Sequence, residues 1–183
     1  MENLDTSNWA SKNLDVDHFR NGDIIEEAKT MKDWQIACEN KIPAWCYFDN
    51  DPENGKKYGK LYNFYAVKDR RRLAPKGYHI PTVEEWTDFG NLIEKEAGKK
   101  LESKTGLEVS GNLEDLIGFN TLPGGYRIDD GSFDIVRSFA EFWSATEIDY
   151  YMATGFSLDI ESSVVNKTSL FKSVGAYVRC LKD

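Results

Sequence analysis

Histidine and cysteine are scarce in this chain, and their scarcity argues against the common metal and disulfide architectures. The 183 residues include two histidines, His18 and His79, which lie far apart and lack cysteines at the spacing of zinc ligands. We therefore expect no zinc site. The three cysteines, Cys38, Cys46 and Cys180, are an odd number, so they cannot form a complete set of intramolecular disulfides.

The chain also lacks long apolar runs and an excess of positive charge. Without a run of about 18 apolar residues, no membrane insertion is expected. The formal net charge of -8 and a pI near 4.9 disfavour contact with phosphate backbones, so nucleic acid is not an expected partner. One basic cluster, Lys68 to Arg72, is interpreted either as a solvated loop or as an anion site.

Patterns typical of catalysis are missing as well. The sequence has no G-x-S-x-G motif, and neither histidine has an obvious catalytic partner. Closely spaced carboxylates such as Glu84, Glu85 and Asp88 are typical of a helix face that is exposed to solvent. We therefore expect a protein that is not an enzyme.

A short acidic loop raises the question of calcium. Asp49, Asp51 and Glu53 alternate as in an ion-binding loop, but Asn54 and Lys60 occupy the positions where an EF-hand needs glycine and glutamate. A calcium site at Asp49 and Asp51 stays as the alternative to a turn capped by its own side chains. No other cofactor is expected.

Two helix starts are marked by capping residues. Thr30, with Asp33 three residues later, predicts a helix that ends near Asn40. Thr82 and Glu85 form a T-x-x-E capping box that opens a second helix, closed by Gly98. A further short helix is predicted over Leu61 to Val67.

The remainder of the chain has strand and turn signals. DNDPENG, from Asp49 to Gly55, reads as a turn, and Asp129 to Gly131 as the turn of a hairpin. Residues 1–25 lack periodicity and are expected to form an extended segment that packs on a single domain, residues 26–183. The predicted strands are Ala44–Phe48, Phe119–Tyr126, Phe139–Ala145, Ala153–Ile160, Ser163–Asn166 and Ala176–Leu181.

Five motifs occur together in one order: WCYFDND, the segment from Tyr58 to Trp86, LPGGYR, FWSATE and the terminal YVRCLKD. In this combination the chain resembles the Fibrobacter succinogenes major paralogous domain, a family of bacterial surface and secreted proteins. The resemblance implies an α+β, C-type-lectin-like fold with two main helices, a small antiparallel sheet and a long loop-rich region. It also makes Cys46 and Cys180 the candidate disulfide; three buried free thiols are the alternative.

The location that the resemblance implies is extracellular or at the cell surface. The acidic, polar start does not resemble a signal peptide, so this location requires that a leader has been removed. A cytoplasmic protein is the alternative.

The function that we expect is recognition of a protein or a glycan at a bacterial surface, without a required metal. Aromatic side chains near the C-terminal loops are the candidate binding residues because Tyr and Trp give large contact areas at low entropic cost. The IPTVEEW motif is also similar to a stretch of formylglycine-generating enzymes, which makes an enzyme relative one alternative; a structural subunit of a surface assembly is another. The candidate residues are Tyr126, Phe133, Asp149, Tyr150 and Tyr151.

Overall fold

The computed structural model describes residues 8–103, 122, 124–134, 139–159 and 164–183, with 96–103 described by their backbone alone. Among the described residues, helices and strands alternate up to Ser103, and the elements from Tyr126 onward are strands. A 3-10 turn, Phe48–Asn50, precedes the second helix. In chain order the elements are β1 (Glu26–Glu27), α1 (Met31–Glu39), β2 (Ala44–Cys46), α2 (Pro52–Tyr58), β3 (Leu61–Tyr62), α3 (Phe64–Val67), β4 (Tyr78–His79), α4 (Val83–Ser103), β5 (Tyr126–Arg127), β6 (Phe133–Asp134), β7 (Phe139–Glu147), β8 (Met152–Asp159), β9 (Val164–Phe171) and β10 (Leu181–Lys182).

The strands pair into small sheets, of which β7-β8-β9 has the longest strands. It is antiparallel throughout, with Phe142 opposite Phe156 and Met152 opposite Phe171. A second three-stranded sheet joins β1, β2 and β3, and its β1–β2 pair is parallel. The two remaining pairs, β10–β4 and β5–β6, are antiparallel.

The expected C-type-lectin-like arrangement of two main helices and one small antiparallel sheet is wrong. The described residues hold four α-helices and four small sheets. Helices combined with mainly antiparallel strands still fit the α+β class. The expectation was based on the motif resemblance, whereas the sheets depend on short elements, several of them only two to four residues long, that pair with partners distant in sequence.

The segment predicted as a turn at Asp49–Gly55 contains the start of a helix instead. Asp51 caps α2 by accepting a hydrogen bond from the backbone N–H of Glu53 (2.9 Å), and Pro52 takes the first helical position. Proline fits that position because the N–H it lacks has no partner in a helix. The predicted helix at 61–67 is divided: β3 comes first, and Asn63 then caps the four-residue α3.

Both predicted capping signals are confirmed. At α1, Thr30 and Asp33 exchange hydrogen bonds of 3.0 and 3.1 Å between side chain and backbone. At α4, the Thr82 N–H donates to Glu85 (2.8 Å). The predicted end of this helix at Gly98 is wrong, since α4 continues to Ser103; an interior glycine costs a helix only about 1 kcal/mol. No helix among the described residues carries an apolar stretch long enough to span a membrane.

The strand predictions hold best for the long hairpin. The β7 and β8 strands agree with the prediction to within two residues, while β9 extends to Phe171, beyond the predicted end at Asn166. Of the strand predicted at 176–181, only Leu181 lies in β10; Ala176 and Tyr177 form isolated bridges. The β5–β6 pair confirms a hairpin around Asp129–Gly131. Residues 119–121, 160 and 163 lie outside the described residues.

The core covers both faces of the β7–β8 hairpin. Phe142 and Trp143 are neighbours on β7, and successive side chains of a strand point to opposite faces. Phe142 packs on Trp86 of α4, with ring centroids 5.4 Å apart. Trp143 packs on Phe64 of α3 at 5.1 Å, and its indole N–H donates to the carbonyl of Tyr62 (2.7 Å). Both residues are fully buried.

The N-terminal stretch from residue 8 runs beside the C-terminal residues. The backbone N–H of Ala10 donates to Cys180 and that of Leu14 to Val178, each at 2.8 Å. The Trp9 ring lies 4.8 Å from that of Trp86. These contacts place residues 8–14 against the edge of the core.

The LPGGYR motif contains a glycine whose position leaves no space for a side chain and an arginine that is fully buried. Gly125 has φ +60°, and a Cβ there would lie 2.5 Å from the Phe48 ring, so no other residue fits without movement. The fully buried Arg127 donates to the carbonyls of Gly131 (3.0 Å), Ala28 (2.9 Å) and Thr30 (2.9 Å). Within the described ranges, carbonyl oxygens and aromatic faces surround Arg127, and no carboxylate forms an ion pair with it.

His79 of β4 links the start of α4 to the end of the described chain. Its Nε2 lies 2.9 Å from Glu85 and its Nδ1 lies 3.0 Å from Asp183. Burial alone would lower the pKa of His79, but the hydrogen bonds to these two carboxylates raise it above its ordinary value. The link is therefore strongest when His79 is protonated.

This link predicts a pH-dependent contribution to stability. Because the folded pKa of His79 is raised, its contribution is complete below the unfolded value of about 6.5 and is lost as pH rises through the folded pKa. The three side chains are at least one-third exposed, so we expect about 0.5 kcal/mol. Urea unfolding should show the wild type and His79→Gln further apart at pH 5.5 than at pH 8.5. A gap independent of pH would contradict the assignment.

Candidate functional site

The β7–β8 turn carries three of the five predicted binding residues. The side chain of Asp149 accepts hydrogen bonds from the backbone N–H groups of Tyr151 and Met152, each at 2.8 Å. These bonds lower the pKa of Asp149 and close the turn. Asp149 therefore shapes the turn, and the two tyrosines that follow it are turned outward.

Tyr150 and Tyr151 form the most exposed aromatic pair in the described parts of the chain. Their exposed fractions are 65% and 68%, and their rings meet edge to face with centroids 4.8 Å apart. Ile148, in the same turn, and Phe171, whose neighbour Lys172 donates to the Tyr151 carbonyl (2.8 Å), are also exposed. We call Ile148, Tyr150, Tyr151 and Phe171 the tyrosine surface.

Lys41 ties the tyrosine surface to α1. Its ammonium donates a hydrogen bond to the Tyr150 hydroxyl and lies 3.8 Å from the centroid of the same ring. This hydrogen bond raises the pKa of Lys41 and lowers that of Tyr150. Among the described residues, Lys41 has no carboxylate partner. Its charge therefore remains available at the edge of the surface.

Lys172 holds the turn from within. Its nearly buried ammonium donates to Glu147 (2.7 Å) and to the carbonyls of Asp149 (2.6 Å) and Tyr150 (3.2 Å). The hydrogen bond from Lys172, with the charges of Lys172 and Lys68, lowers the pKa of Glu147. The turn that presents the tyrosines is thus fixed by side chains from two other parts of the fold.

A cavity of about 320 Å³ adjoins the tyrosine surface. Its size lies at the lower end of the range of small-molecule sites. Its wall combines flat rings, cations and carboxylates, a mixture that can stack on a ligand and also bind its polar groups. Its residues are Lys41, Pro43, Phe64, Tyr65, Lys68, Asp69, Glu147, Tyr150 and Lys172.

Tyr126 and Phe133 lie on a different patch. Phe133 packs edge to face on Phe48 at 5.3 Å, and the Tyr126 hydroxyl donates to Asp134 (3.2 Å). Burial, together with the charge of Asp134, raises the pKa of Tyr126. Both residues are half-buried and hold the β5–β6 hairpin to the core.

Helix α1 separates the two patches. The turn of the β5–β6 hairpin touches Met31 at the start of α1, whereas Tyr150 touches Lys41 beyond its end. A nine-residue helix is about 13 Å long. The structure therefore brings together Asp149, Tyr150 and Tyr151 and does not bring Tyr126 or Phe133 to them.

Sequence reasoning missed the residues that support the turn. Lys41 lies 109 positions from Tyr150, and Lys172 lies 25 positions from Glu147. No spacing rule links residues so far apart. Phe171 was missed because β9 was predicted to end at Asn166.

The candidate calcium residues, Asp49 and Asp51, lie just before α2, and the candidate disulfide residues, Cys46 and Cys180, are both buried. The Asp51 side chain caps α2, and Asp49 adopts a left-handed backbone with φ 54°. Within the described ranges, no group of three or more His, Cys, Asp or Glu side chains could hold a metal ion. Cys46 and Cys180 are free, buried thiols, as is Cys38, so the pair that the resemblance suggested is not formed.

Comparison with known proteins identifies the family. The model of the Fibrobacter succinogenes major domain matches residues 3–182, which is nearly the whole chain. The chain belongs to this family. Comparisons with curated proteins and with solved structures gave no match. The Fibrobacter succinogenes major domain thus includes the N-terminal stretch, both helix-capping motifs and the tyrosine surface.

Proposed function

We propose that this Fibrobacter succinogenes major domain is a non-enzymatic recognition module that binds a protein or a glycan through the tyrosine surface. The observation that carries the proposal is the pair of adjacent, outward-facing tyrosines on a fixed turn. Exposed aromatic groups of this kind mark binding surfaces. A fixed turn adds to this, because little conformational entropy is lost when the ligand binds.

The cavity beside Tyr150 supports a polar ligand. Aromatic rings stack on the apolar face of a sugar or a side chain, while Lys41 and Lys68 can bind its oxygen atoms. The surface needs no metal for this kind of contact. We further propose a location at the cell surface or outside the cell, as the motif resemblance implies.

The chemistry of the cysteines supports a role other than thiol catalysis. The thiolate is the reactive form of cysteine. Burial raises the pKa of Cys38 and Cys180 to about 12 and that of Cys46 to about 11. Thiolate is therefore scarce near neutral pH at all three positions.

The test is an array of neutral and acidic oligosaccharides and peptides, probed with the wild type and with Tyr150→Ala/Tyr151→Ala. We expect the double variant to lose at least about ten-fold in affinity for the ligands that the wild type retains, because central aromatic anchors dominate interface energies. Its melting temperature should stay within about 2 °C of the wild type, because surface substitutions change stability little.

Two further variants sharpen the test. Tyr150→Phe/Tyr151→Phe keeps the rings and removes the hydroxyls, so it separates stacking from hydrogen bonding. Ile24→Ala removes an apolar group that is 77% exposed and lies outside the tyrosine surface, and it should bind as the wild type does. Equal binding by the wild type and the double alanine variant would overturn the proposal. An empty array together with stable self-association would favour a structural subunit instead.

A further inference from the structure

The loop between α3 and β4 carries three consecutive arginines, Arg70 to Arg72, in a chain whose net charge is -8. With Arg20, Asn21 and Asp23 they line an open basin of about 650 Å³, here called the arginine basin. Four arginines face two aspartates, Asp23 and Asp69, so the basin has a local net charge of +2. The charge of this region is thus opposite to that of the whole protein.

Arg71 lines the basin and is held by two ion pairs. Its guanidinium donates two hydrogen bonds of 2.9 Å to Asp69 and one of 3.2 Å to Asp23. It also lies 4.1 Å from the centroid of the Phe19 ring. These ion pairs raise the pKa of Arg71 and lower that of Asp69. Its guanidinium is already satisfied.

Arg20 is also committed to the fold. Its guanidinium donates to the carbonyls of Ala74 (3.0 Å), Pro75 (2.8 Å) and Tyr78 (2.7 Å). Its backbone N–H donates to the carbonyl of Arg72 (2.8 Å). Arg20 therefore fixes the far end of the arginine loop.

Arg70 and Arg72 differ from these two. Both are exposed, and neither guanidinium has a hydrogen-bond acceptor or an ion-pair partner among the described residues. Each guanidinium presents five N–H donors in a planar fork that matches the oxygens of an oxyanion. In the basin, the guanidinium groups of Arg20 and Arg71 are thus hydrogen-bonded within the fold, whereas the N–H donors of Arg70 and Arg72 are available to a ligand.

The backbone at Arg72 is held in an unfavourable conformation. Its φ is +64°, a region in which a side chain costs energy and glycine does not. The Arg72 N–H donates to the Asp69 carbonyl (2.9 Å), and its own carbonyl accepts from Arg20, so this conformation is fixed from both sides. A strained residue held in this way is often part of a functional site.

We propose that the arginine basin binds a single tetrahedral oxyanion, a sulfate or phosphate ester group, between Arg70 and Arg72. Guanidinium groups bind such anions through paired, charge-assisted hydrogen bonds. A long polyanion does not suit the basin, because the net charge of -8 repels it beyond the local positive patch. The proposal is independent of ligand binding at the tyrosine surface.

The experiment is an NMR titration of the 15N-labelled full chain with sodium sulfate and, separately, sodium phosphate, with ionic strength held constant by sodium chloride. We expect saturable shifts of the Arg70 and Arg72 amides and side-chain Nε signals, with a dissociation constant of roughly 1 mM. Inorganic phosphate should bind more weakly at pH 5.5 than at pH 7.5, because it loses its second negative charge as the pH falls through its second pKa, whereas sulfate keeps its charge. Glucose 6-sulfate and glucose 6-phosphate then show which ester is preferred.

Variants separate binding from folding. Arg72→Gly removes the guanidinium and relieves the backbone strain, so it should melt at or above the wild-type temperature while binding either anion about ten-fold more weakly. Arg70→Gln should weaken binding to a similar degree. Lys167→Gln, at an exposed cation on β9, is the matched control and should bind like the wild type.

The outcomes are distinct from those of the array experiment. Tyr150→Ala/Tyr151→Ala should bind sulfate normally, so failure of one proposal leaves the other standing. Linear shifts that do not saturate, or equal affinities in the wild type, Arg70→Gln and Arg72→Gly, would overturn the arginine basin as a site.

Discussion

Replacing Arg127 by alanine should lower the free energy of unfolding by about 4 kcal/mol, the largest effect that we expect from a polar substitution. The side chain is fully buried. It donates to the carbonyls of Ala28, which follows β1, of Thr30, which caps α1, and of Gly131 in the β5–β6 hairpin. Without Arg127 those acceptors lose their donor and a cavity opens between Trp34 and Phe133, which now lie 4.8 and 4.7 Å from its guanidinium.

Two substitutions separate the contributions of Arg127. Arg127→Lys keeps the charge but cannot reproduce a planar fork that reaches three acceptors, and we expect a loss of about 2 kcal/mol. Arg127→Met fills much of the volume and leaves all three carbonyls without the guanidinium, so it should fall between lysine and alanine. Urea unfolding with an unchanged m-value measures each difference. A loss below about 1 kcal/mol for alanine would contradict the role assigned to Arg127.

Replacing Trp86 by alanine should cost a similar amount, about 4 kcal/mol, for an apolar reason. The Trp86 ring is fully buried and stacks on Phe156 at 5.3 Å between centroids, beside Phe142 at 5.4 Å. Truncation leaves a large void at the junction of α4 with the β7–β8 hairpin. Trp86→Phe leaves a smaller void and should cost about 2 kcal/mol.

Trp86→Ala should also loosen the N-terminal stretch. Trp9 packs on Trp86, so truncation of Trp86 removes a contact that holds residues 8–14 beside the C-terminal residues. We expect the exchange rates of the Ala10 and Leu14 amides to rise above their wild-type values in both variants, and to rise more in Trp86→Ala than in Arg127→Ala. An equal increase in both variants would indicate global unfolding rather than local release.

The sequence predicted what depends on near neighbours. The capping pairs Thr30–Asp33 and Thr82–Glu85 are three residues apart, and their hydrogen bonds form as predicted. The strand predicted at Ala153–Ile160 likewise agrees with β8 to within one residue at each end. Local geometry determines these features, so a single sequence is enough to find them.

The overall arrangement depended on contacts that no local pattern encodes. The two-residue strands β3, β4 and β10 exist because distant partners complete their hydrogen bonds, as His79 does with Leu181. Gly98 was predicted to end α4, but one glycine is too weak a signal to stop a helix. The expected lectin-like fold was wrong because it was inferred from resemblance rather than from such pairings.

The candidate site could be predicted only in part. Two adjacent tyrosines after Asp149 indicated exposed rings, and the structure exposes both. The link from Lys41 to Tyr150 joins residues 109 positions apart, and the commitment of Tyr126 and Phe133 to the β5–β6 hairpin depends on Phe48 and Asp134. Only the folded chain shows which of the predicted residues lie together.

An amide chemical-shift map of the 15N-labelled protein, recorded during titration with the strongest ligand from the array, tests binding through the tyrosine surface. We expect the largest shifts at residues 148–151, with smaller shifts at Lys41 and Phe171. Those shifts should disappear in Tyr150→Ala/Tyr151→Ala and persist in Ile24→Ala. Largest shifts at the β5–β6 hairpin, with the β7–β8 turn unchanged, would contradict binding through the tyrosine surface.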